Sequence, residues 1–474
     1  MGALLCLALL GAPLPAAAAA ATATATATAA GSDGVFFVHV SDVHAWNDPR
    51  DFGDYSMPIP AWIPTPLANW LILWQLARYH PTLDRAGIAA AFRRELAARG
   101  GAGAGELGDL AVLSAWAAEL RRPGSELGRV AESIRAALAE LAALGPEFVV
   151  STGDLVLEGN TAPPEVMERW LRFYRDETAA TGIPFHHTIG NNELAGIARD
   201  DFPTEDPRCG KGAFRALFGP TWFSFDHGPF HFVALDTHAP RPGARDARAW
   251  SFASMPEEER AWLDADLARE RGRTVVALNH EPFAADPRWK FADALEPADD
   301  AGLLAKHAVA YALTGHVHWN GFVRVGATSH ITTGALSGLR WAAPVSVHPR
   351  GYRLFWGTPN GKLYSAWKET GQPVLELVQP SGDPQAFTNP GADPTRAVAS
   401  DGRIAIVAVA ADARGPFASV RLLQDGKALR VEHWGVYFFA ASVEPGVVDL
   451  VAADARGRTL RVRRVRVGEP PGPA

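Results

Sequence analysis

Cysteine is almost missing from this sequence. Of 474 residues only Cys6 and Cys209 are cysteine. Cys6 lies in an apolar N-terminal run, so Cys209 would stand alone in a processed chain. Disulfide stapling is thereby excluded, and a large core must supply the stability. Cys209 sits in "DPRCGKG", a loop composition with no Cys-His pairing signal, and reads as a spectator thiol. Excess positive charge is missing too. Lys and Arg number 45 against 52 Asp and Glu, a net charge of −7. That balance gives no sign of a general nucleic-acid binder, and no nucleic-acid partner is expected. No internal repeat occurs. Hydrophobic residues make up 47% and charged residues 20%, the balance of a soluble globular protein. The length exceeds one ordinary core and implies two domains.

No Lys or Arg precedes Arg50. The run "ALLCLALLGAPLPAAAAAA" ends in small residues, as a signal peptide does, although the usual positive start is missing. A misplaced start codon would account for that. The run is too short and alanine-rich for a good membrane span. "TATATATAA" follows as a low-complexity spacer. Residues 1–30 are therefore expected to be signal peptide and spacer. The protein is expected to be exported and periplasmic, extracellular or envelope-associated.

Short apolar runs then recur: "VFFVHV" (35–40), "EFVVSTGD" (147–154), "FHHTIGN" (185–191), "FHFVALD" (230–236) and "TVVALNH" (274–280). Such runs mark strands buried on both faces. Leu127, Val130, Ile134, Leu138, Leu141 and Leu144 recur at three and four, an amphipathic helix. Residues 163–178 and 257–271 predict two more helices. Strands alternating with helices imply a layered α/β domain with a largely parallel sheet. Ligands gather at the carboxyl ends of such strands.

An insertion of about residues 45–144 separates the first two strands. Its first part is rich in Pro, Trp and Tyr, and residues 67–79 look helical, with Trp70 and Trp74 among the bulky positions. One reading is a helical subdomain packed on the core. The other is a lid or interfacial helix that meets a lipid-like substrate, with a membrane surface as a further partner. After Trp367 the texture changes. Residues 371–400 read as a linker. Residues 401–468 carry short strands broken by turn signals such as Asp425-Gly426, which fits a small immunoglobulin-like β-sandwich.

The chemistry lies at the strand ends. "SDVHAW" supplies Asp42 and His44, and "TGDLVLEGN" supplies Asp154. "GNNE" supplies Asn191, "LNHEPF" His280, and "LTGHVHWN" His316 and His318. Singly these are weak, since Asp-x-His or Gly-Asp after a strand is more often a turn. Together they offer seven oxygen and nitrogen ligands, enough for two metals sharing one carboxylate. His and Asp suit Mn, Fe or Zn. Two carboxylates facing two divalent ions leave about +2, which attracts phosphate. Water held between two metals loses a proton near neutral pH and becomes a nucleophile.

The series D-x-H, G-D-x-x-x-x-G, G-N-x-E, H and G-H-x-H resembles the calcineurin-like metallophosphoesterases, here as an exported, bacterial-type member. Residues 218–237 resemble a stretch that many members carry before their fourth motif. The resemblance covers about residues 35–370, less the insertion. It implies a four-layer αββα sandwich. It further implies one divalent or trivalent metal on Asp42, His44, Asp154 and His318, and a second on Asp154, Asn191, His280 and His316. Asp154 would bridge, with a metal-bridging hydroxide as nucleophile. Purple acid phosphatases place a tyrosine three residues after the bridging Asp. Leu157 stands there, so a tyrosinate–iron site is not expected.

One position departs from the family. Asn192 stands where relatives carry a histidine that orients phosphate or protonates the leaving group. An amide can donate a hydrogen bond but is no proton donor near neutral pH. His238, His187 and Glu193 are candidates to replace it, so the expected catalytic set is Asp154, Asn192 and His238. The expected activity is hydrolysis of a phosphorylated small-molecule or lipid-like substrate, with a lean toward diesters or anhydrides. The alternative is a catalytically weakened metal-binding surface protein.

Overall fold

Apolar runs and amphipathic helices alternate along the first part of the chain, and each becomes one element. The computed structural model describes residues 34–47, 130–157, 159–160, 162–197, 202–240, 250–251, 254–284, 300–337, 350–379, 402–413, 417–454 and 456–467. The expected leader and spacer, the aromatic stretch with its helix at 67–79, and most of the 371–400 linker lie outside the described residues.

Strand β1 (Val35–Val40) comes first, then helix α1 (Val130–Leu144) and β2 (Phe148–Thr152). Helix α2 (Pro164–Ala180), β3 (Phe185–Thr188) and α3 (Gly212–Phe218) follow. Next come β4 (Phe223–His227), β5 (Phe230–Ala234), α4 (Glu257–Arg269), β6 (Thr274–Leu278), α5 (Asp300–Lys306) and β7 (Tyr311–Thr314). The last strands of this part are β8 (Gly321–Val325), β9 (Thr328–Thr332), β10 (Gly351–Gly357) and β11 (Leu363–Glu369).

They form two sheets, ordered β11-β10-β1-β2-β3 and β8-β9-β7-β6-β5-β4. The expectation of a largely parallel sheet needs correction. β1, β2 and β3 are parallel, as are β5, β6, β7 and β9, but the edge strands β4, β8 and β11 pair antiparallel, and β10 pairs antiparallel with both β1 and β11. Apolar runs report burial, and burial does not encode strand direction.

Four layers result. Phe37, Phe148 and Val150 of the first sheet meet Phe232, Val276 and Leu313 of the second in one apolar core. α1 lays Val130, Ile134, Leu138 and Leu141 on the outer face of the first sheet, where α2 adds Met167, Trp170, Leu171 and Tyr174. Pro164 at the first turn of α2 suits a helix start, because its missing N–H has no partner there in any case. On the other side α4 and α5 cover the second sheet with Leu263, Leu267 and Leu304. No described helix is long and apolar enough to cross a membrane.

The C-terminal part is a pair of four-stranded antiparallel sheets. One contains β12 (Val374–Gln379), β13 (Ile404–Ala411), β16 (Glu432–Trp434) and β17 (Phe438–Val443), in the order β12-β13-β17-β16. The other contains β14 (Ser419–Gln424), β15 (Lys427–Ala428), β18 (Gly446–Ala453) and β19 (Thr459–Val467), in the order β15-β14-β18-β19. Leu375, Ile406, Leu422, Phe439 and Leu450 fill the space between them. β12 lies inside the segment expected to be a linker. "VLELVQ" is a short apolar run, and pairing with β13 satisfies its backbone. Asp425 and Gly426 both have positive φ, at 50° and 73°, as the tight turn of the β14–β15 hairpin requires. Arg463 and Arg464 of the basic last strand are solvent-facing and pair with Glu376 and Asp449.

Candidate metal centre

The loops after β1 and β2 run side by side. The backbone N–H of Asp42 donates to the Gly153 carbonyl at 3.2 Å, that of His44 to Asp154 at 2.9 Å, and that of Ala45 to Leu155 at 2.8 Å. The ladder continues past the sheet edge and fixes both loops together. Among the described non-glycine residues seven have positive φ, and five of these are Asp42, His44, Asp154, His316 and His318. Left-handed backbone costs on the order of 1–3 kcal/mol per residue and gathers where function demands it.

Glycines let the loops close. A Cβ on Gly153, whose φ is 76°, would lie 2.6 Å from His280 Nδ1 and 2.8 Å from the Gly190 Cα. One on Gly315 would overlap Ser41 Oγ and lie 2.6 Å from Asp42 Oδ2. The glycines that precede Asp154 and His316 in sequence are therefore packing requirements of the site.

All seven strand-end residues meet. His44 Nε2 lies 2.9 Å from His318 Nε2 and 3.9 Å from Asp154 Oδ2. His318 Nε2 lies 3.3 Å from Asp42 Oδ1. Asp42, His44, Asp154 and His318 thus offer four ligand atoms around one point. Beside them, His280 Nε2 lies 3.2 Å from both Asp154 Oδ1 and Asn191 Oδ1. His316 Nδ1 lies 3.1 Å from Asn191 Oδ1 and 3.3 Å from His280 Nε2. Asp154 turns one oxygen toward each set.

Second-layer contacts orient these groups. The Nδ1 of His280 faces the Thr152 carbonyl at 2.8 Å, which leaves Nε2 for a cation. The backbone N–H of His316 donates to both Asp42 oxygens at 3.0 Å. Burial, then the His318 ring, push His44 down to about 4. Burial, then His280, also lower His316. Burial opposes the charge on His280 as well, but Asp154 overrides it and raises that group well above its usual value. Burial disfavours the Asp154 carboxylate, yet His280 and then His44 hold it well below the usual range. His44 and His316 are thus held as neutral imidazoles beside an ionised Asp154, and neutral imidazoles with ionised carboxylates are the donor set a divalent cation takes.

"GNNE" forms a short 3-10 turn, Asn191–Glu193, after β3. Glu193 is fully buried, and its oxygens accept from the N–H of Gly190 at 2.8 Å and of Val156 at 3.0 Å. Burial, then Asp154, push it up to about 8. It pins the loops after β2 and β3 together. His187 lies among the rings of Tyr174, Phe185 and Phe218 on the α2 side of β3.

His238, expected in the catalytic set, lies between two carboxylates. It is fully buried, with Nε2 2.7 Å from Glu281 Oε1 and Nδ1 3.3 Å from Asp236 Oδ1. Lys211 in turn pairs with Asp236. Burial opposes the charge on His238, but Glu281 and then Asp236 outweigh it and hold the group at about 9. Lys211, Asp236, His238 and Glu281 thus form a buried row of alternating charge. It ends at Glu281, which lies with His280 and His316. Sequence reading missed Lys211, Asp236 and Glu281. The signal was thin: Asp236 ends a strand run, and Glu281 directly follows His280. A third group, Asp226, His231 and Glu270, lies apart from the site. Arg273 already sits within 3.4 Å of Asp226 and 3.3 Å of Glu270.

A family model described as calcineurin-like phosphoesterase matches residues 37–320. An acid phosphatase from Aspergillus ficuum is 27% identical over 154 residues, 25% of this chain and 24% of that protein. The match therefore spans about a quarter of that relative's length. Among solved structures, a dimetal phosphatase from Danio rerio is 17% identical with a TM-score of 0.38, over 52% of this chain and 88% of that one. A purple acid phosphatase from Lupinus luteus is 17% identical with a TM-score of 0.36, over 51% of this chain and 47% of that one.

Proposed function

The chain belongs to the calcineurin-like phosphoesterase family, and from that premise we propose that it is a dinuclear metal-dependent hydrolase of phosphate esters. One observation carries the reading: seven donor side chains divide into two sets, with Asp154 presenting an oxygen to each. Asp42, His44, Asp154 and His318 would hold one ion, and Asp154, Asn191, His280 and His316 the other. Mn, Fe or Zn fits these donors, and buried, apolar Leu157 offers no phenolate. Bound ions would supply Lewis acidity toward water and a phosphate oxygen.

The chain's own residues bind and orient. The carboxylates of Asp42 and Asp154 set the charge of the site, and the Thr152 carbonyl fixes the His280 ring. Of the candidates for protonating a leaving group, His238 and Glu193 are engaged elsewhere, and His187 lies among rings on the α2 side of β3. His238 is held by two carboxylates, and Glu193 by two backbone N–H groups. Both ends of the Asn192 amide are likewise occupied. This supports a substrate whose leaving group departs without help, a phosphodiester or phosphoanhydride. The acid phosphatase relative shares too little of its length to decide the ester class. The N-terminal apolar run supports action outside the cytoplasm.

Elemental analysis of the purified chain should find two metals, and an aryl phosphodiester should be hydrolysed with Mn present and not after chelation. Fewer than two bound ions at saturation would sink the dinuclear reading. Two bound ions with no turnover on a panel of mono-, di- and anhydride substrates would favour a catalytically weakened metal-binding protein, which the engaged candidates also allow.

A further inference from the structure

On this dinuclear reading, we propose that Glu281 is a further donor of the centre, a carboxylate ligand of the ion on Asp154, Asn191, His280 and His316. The first set has Asp42 beside the shared Asp154, whereas the second set has no carboxylate of its own. Glu281 is only 3% exposed. One of its carboxylate oxygens lies within 4.8 Å of a ring nitrogen of both His280 and His316, and those two nitrogens lie equally close to each other. Donor atoms on opposite sides of one cation stand about 4.0–4.4 Å apart, and neighbouring donors stand closer. These three atoms are therefore near enough to share one ion.

Adjacency in sequence does not by itself bring Glu281 there. Neighbouring residues of an extended chain point to opposite faces. β6 ends at Leu278 and the chain bends at His280 and Glu281, so both side chains turn toward one point. The loop after β5 then holds the carboxylate. Oε1 lies 2.7 Å from His238 Nε2, and Oε2 accepts from Thr237 Oγ1 at 2.5 Å. Asn279 Nδ2 lies 2.7 Å from the Glu281 carbonyl and 3.1 Å from Thr237 Oγ1, which ties the Glu281 backbone to the same loop. A carboxylate oxygen has two lone pairs, so each of these oxygens keeps one for a cation. The buried row from Lys211 through Asp236 and His238 thereby acts as outer-layer partners of a metal ligand do, by fixing the direction of its carboxylate. A carboxylate of its own also moves the second set toward oxygen donors, which suits Mn.

The test is an equilibrium Mn(II) titration of the full chain, read by free-ion EPR, on wild type, Glu281→Gln and Glu281→Asp. Circular dichroism melts of each metal-free protein establish folding. Wild type should bind two ions. Glu281→Gln keeps the shape and removes the charge. It should weaken one site by more than about a hundredfold, beyond the ~10–100-fold of an outer-layer partner, and the other far less. Glu281→Asp keeps the charge and withdraws the oxygens by one methylene, so it should weaken the same site. Equal loss at both sites, a loss of about a hundredfold or less in Glu281→Gln, or wild-type affinity in Glu281→Asp would overturn the proposal while leaving two-metal binding intact. Should either variant fail to fold, a crystal structure of the Mn-loaded wild type decides. An ion located by its anomalous scattering should lie about 2.2 Å from a Glu281 oxygen, and a carboxylate out of contact with it would overturn the proposal. Wild type that binds fewer than two ions at saturation defeats the dinuclear reading instead, and this assignment with it.

Discussion

At the residue scale Asp154 and His238 make the sharpest tests. Asp154 presents one oxygen to each donor set, so Asp154→Asn should weaken both ions and lower turnover by more than about a hundredfold, beyond the ~10–100-fold typical of an outer-layer partner. Metal content by elemental analysis and initial rates on one phosphodiester check this. His238 makes a pH prediction. Its folded value is about 9 against 6.5 unexcited by partners. A raised value means that its contribution is complete below about pH 6.5 and is lost as pH rises through about 9. The melting temperature of the metal-free protein should therefore fall between pH 7 and about 9.5. His238→Gln should melt lower at neutral pH and lose much of that slope, and an unaltered slope would contradict the assignment. The meeting of all seven strand-end residues was readable in the sequence, because each lies just past a strand. Lys211, Asp236 and Glu281 were not, because Asp236 and Glu281 are brought together only by the adjacency of β5 and β6, and Lys211 joins them from the start of α3.

At the element scale the loops depend on glycine and the sheets on helix cover. Gly153→Ala places a methyl against His280 and Gly190 in a left-handed conformation, a strain of roughly 1–2 kcal/mol plus about 1–3 kcal/mol of overpacking. Urea unfolding should show a loss of that order together with weaker metal binding. Trp170 of α2 is fully buried away from the donors. Trp170→Ala should cost about 3–5 kcal/mol by the same measurement, with metal stoichiometry unchanged in the folded fraction. Loss of stability without loss of stoichiometry would separate core from centre. Helix α1 was legible from spacing at three and four. The direction of β10 was not, since "GYRLFWG" reads as buried whichever way it runs.

At the scale of the whole molecule the C-terminal sandwich is packed onto the first sheet. Tyr437 donates from its hydroxyl to the Leu144 carbonyl at the end of α1, at 2.9 Å. Its ring lies 5.1 Å from that of Phe36, and Phe438 lies 6.4 Å from Trp356. Val374, Val407, Val409 and Phe438 share one apolar core with Leu354, Trp356 and α1. Calorimetry of the full chain should accordingly give a single transition. A chain ended at residue 370 should melt lower and bind a hydrophobic dye, and two independent transitions in the full chain would contradict the shared core.

The sequence by itself determined which residues converge, because donors placed at the carboxyl ends of buried strands must share one edge of the layered fold. It also determined the layering, through apolar runs and amphipathic spacing. Tertiary structure alone decided strand direction, the recruitment of β12 to the sandwich, and the partners of Asn192 and His238. Those partners come from segments far apart in the chain. A side chain's hydrogen bonds depend on which loop lies opposite, and no local pattern carries that information.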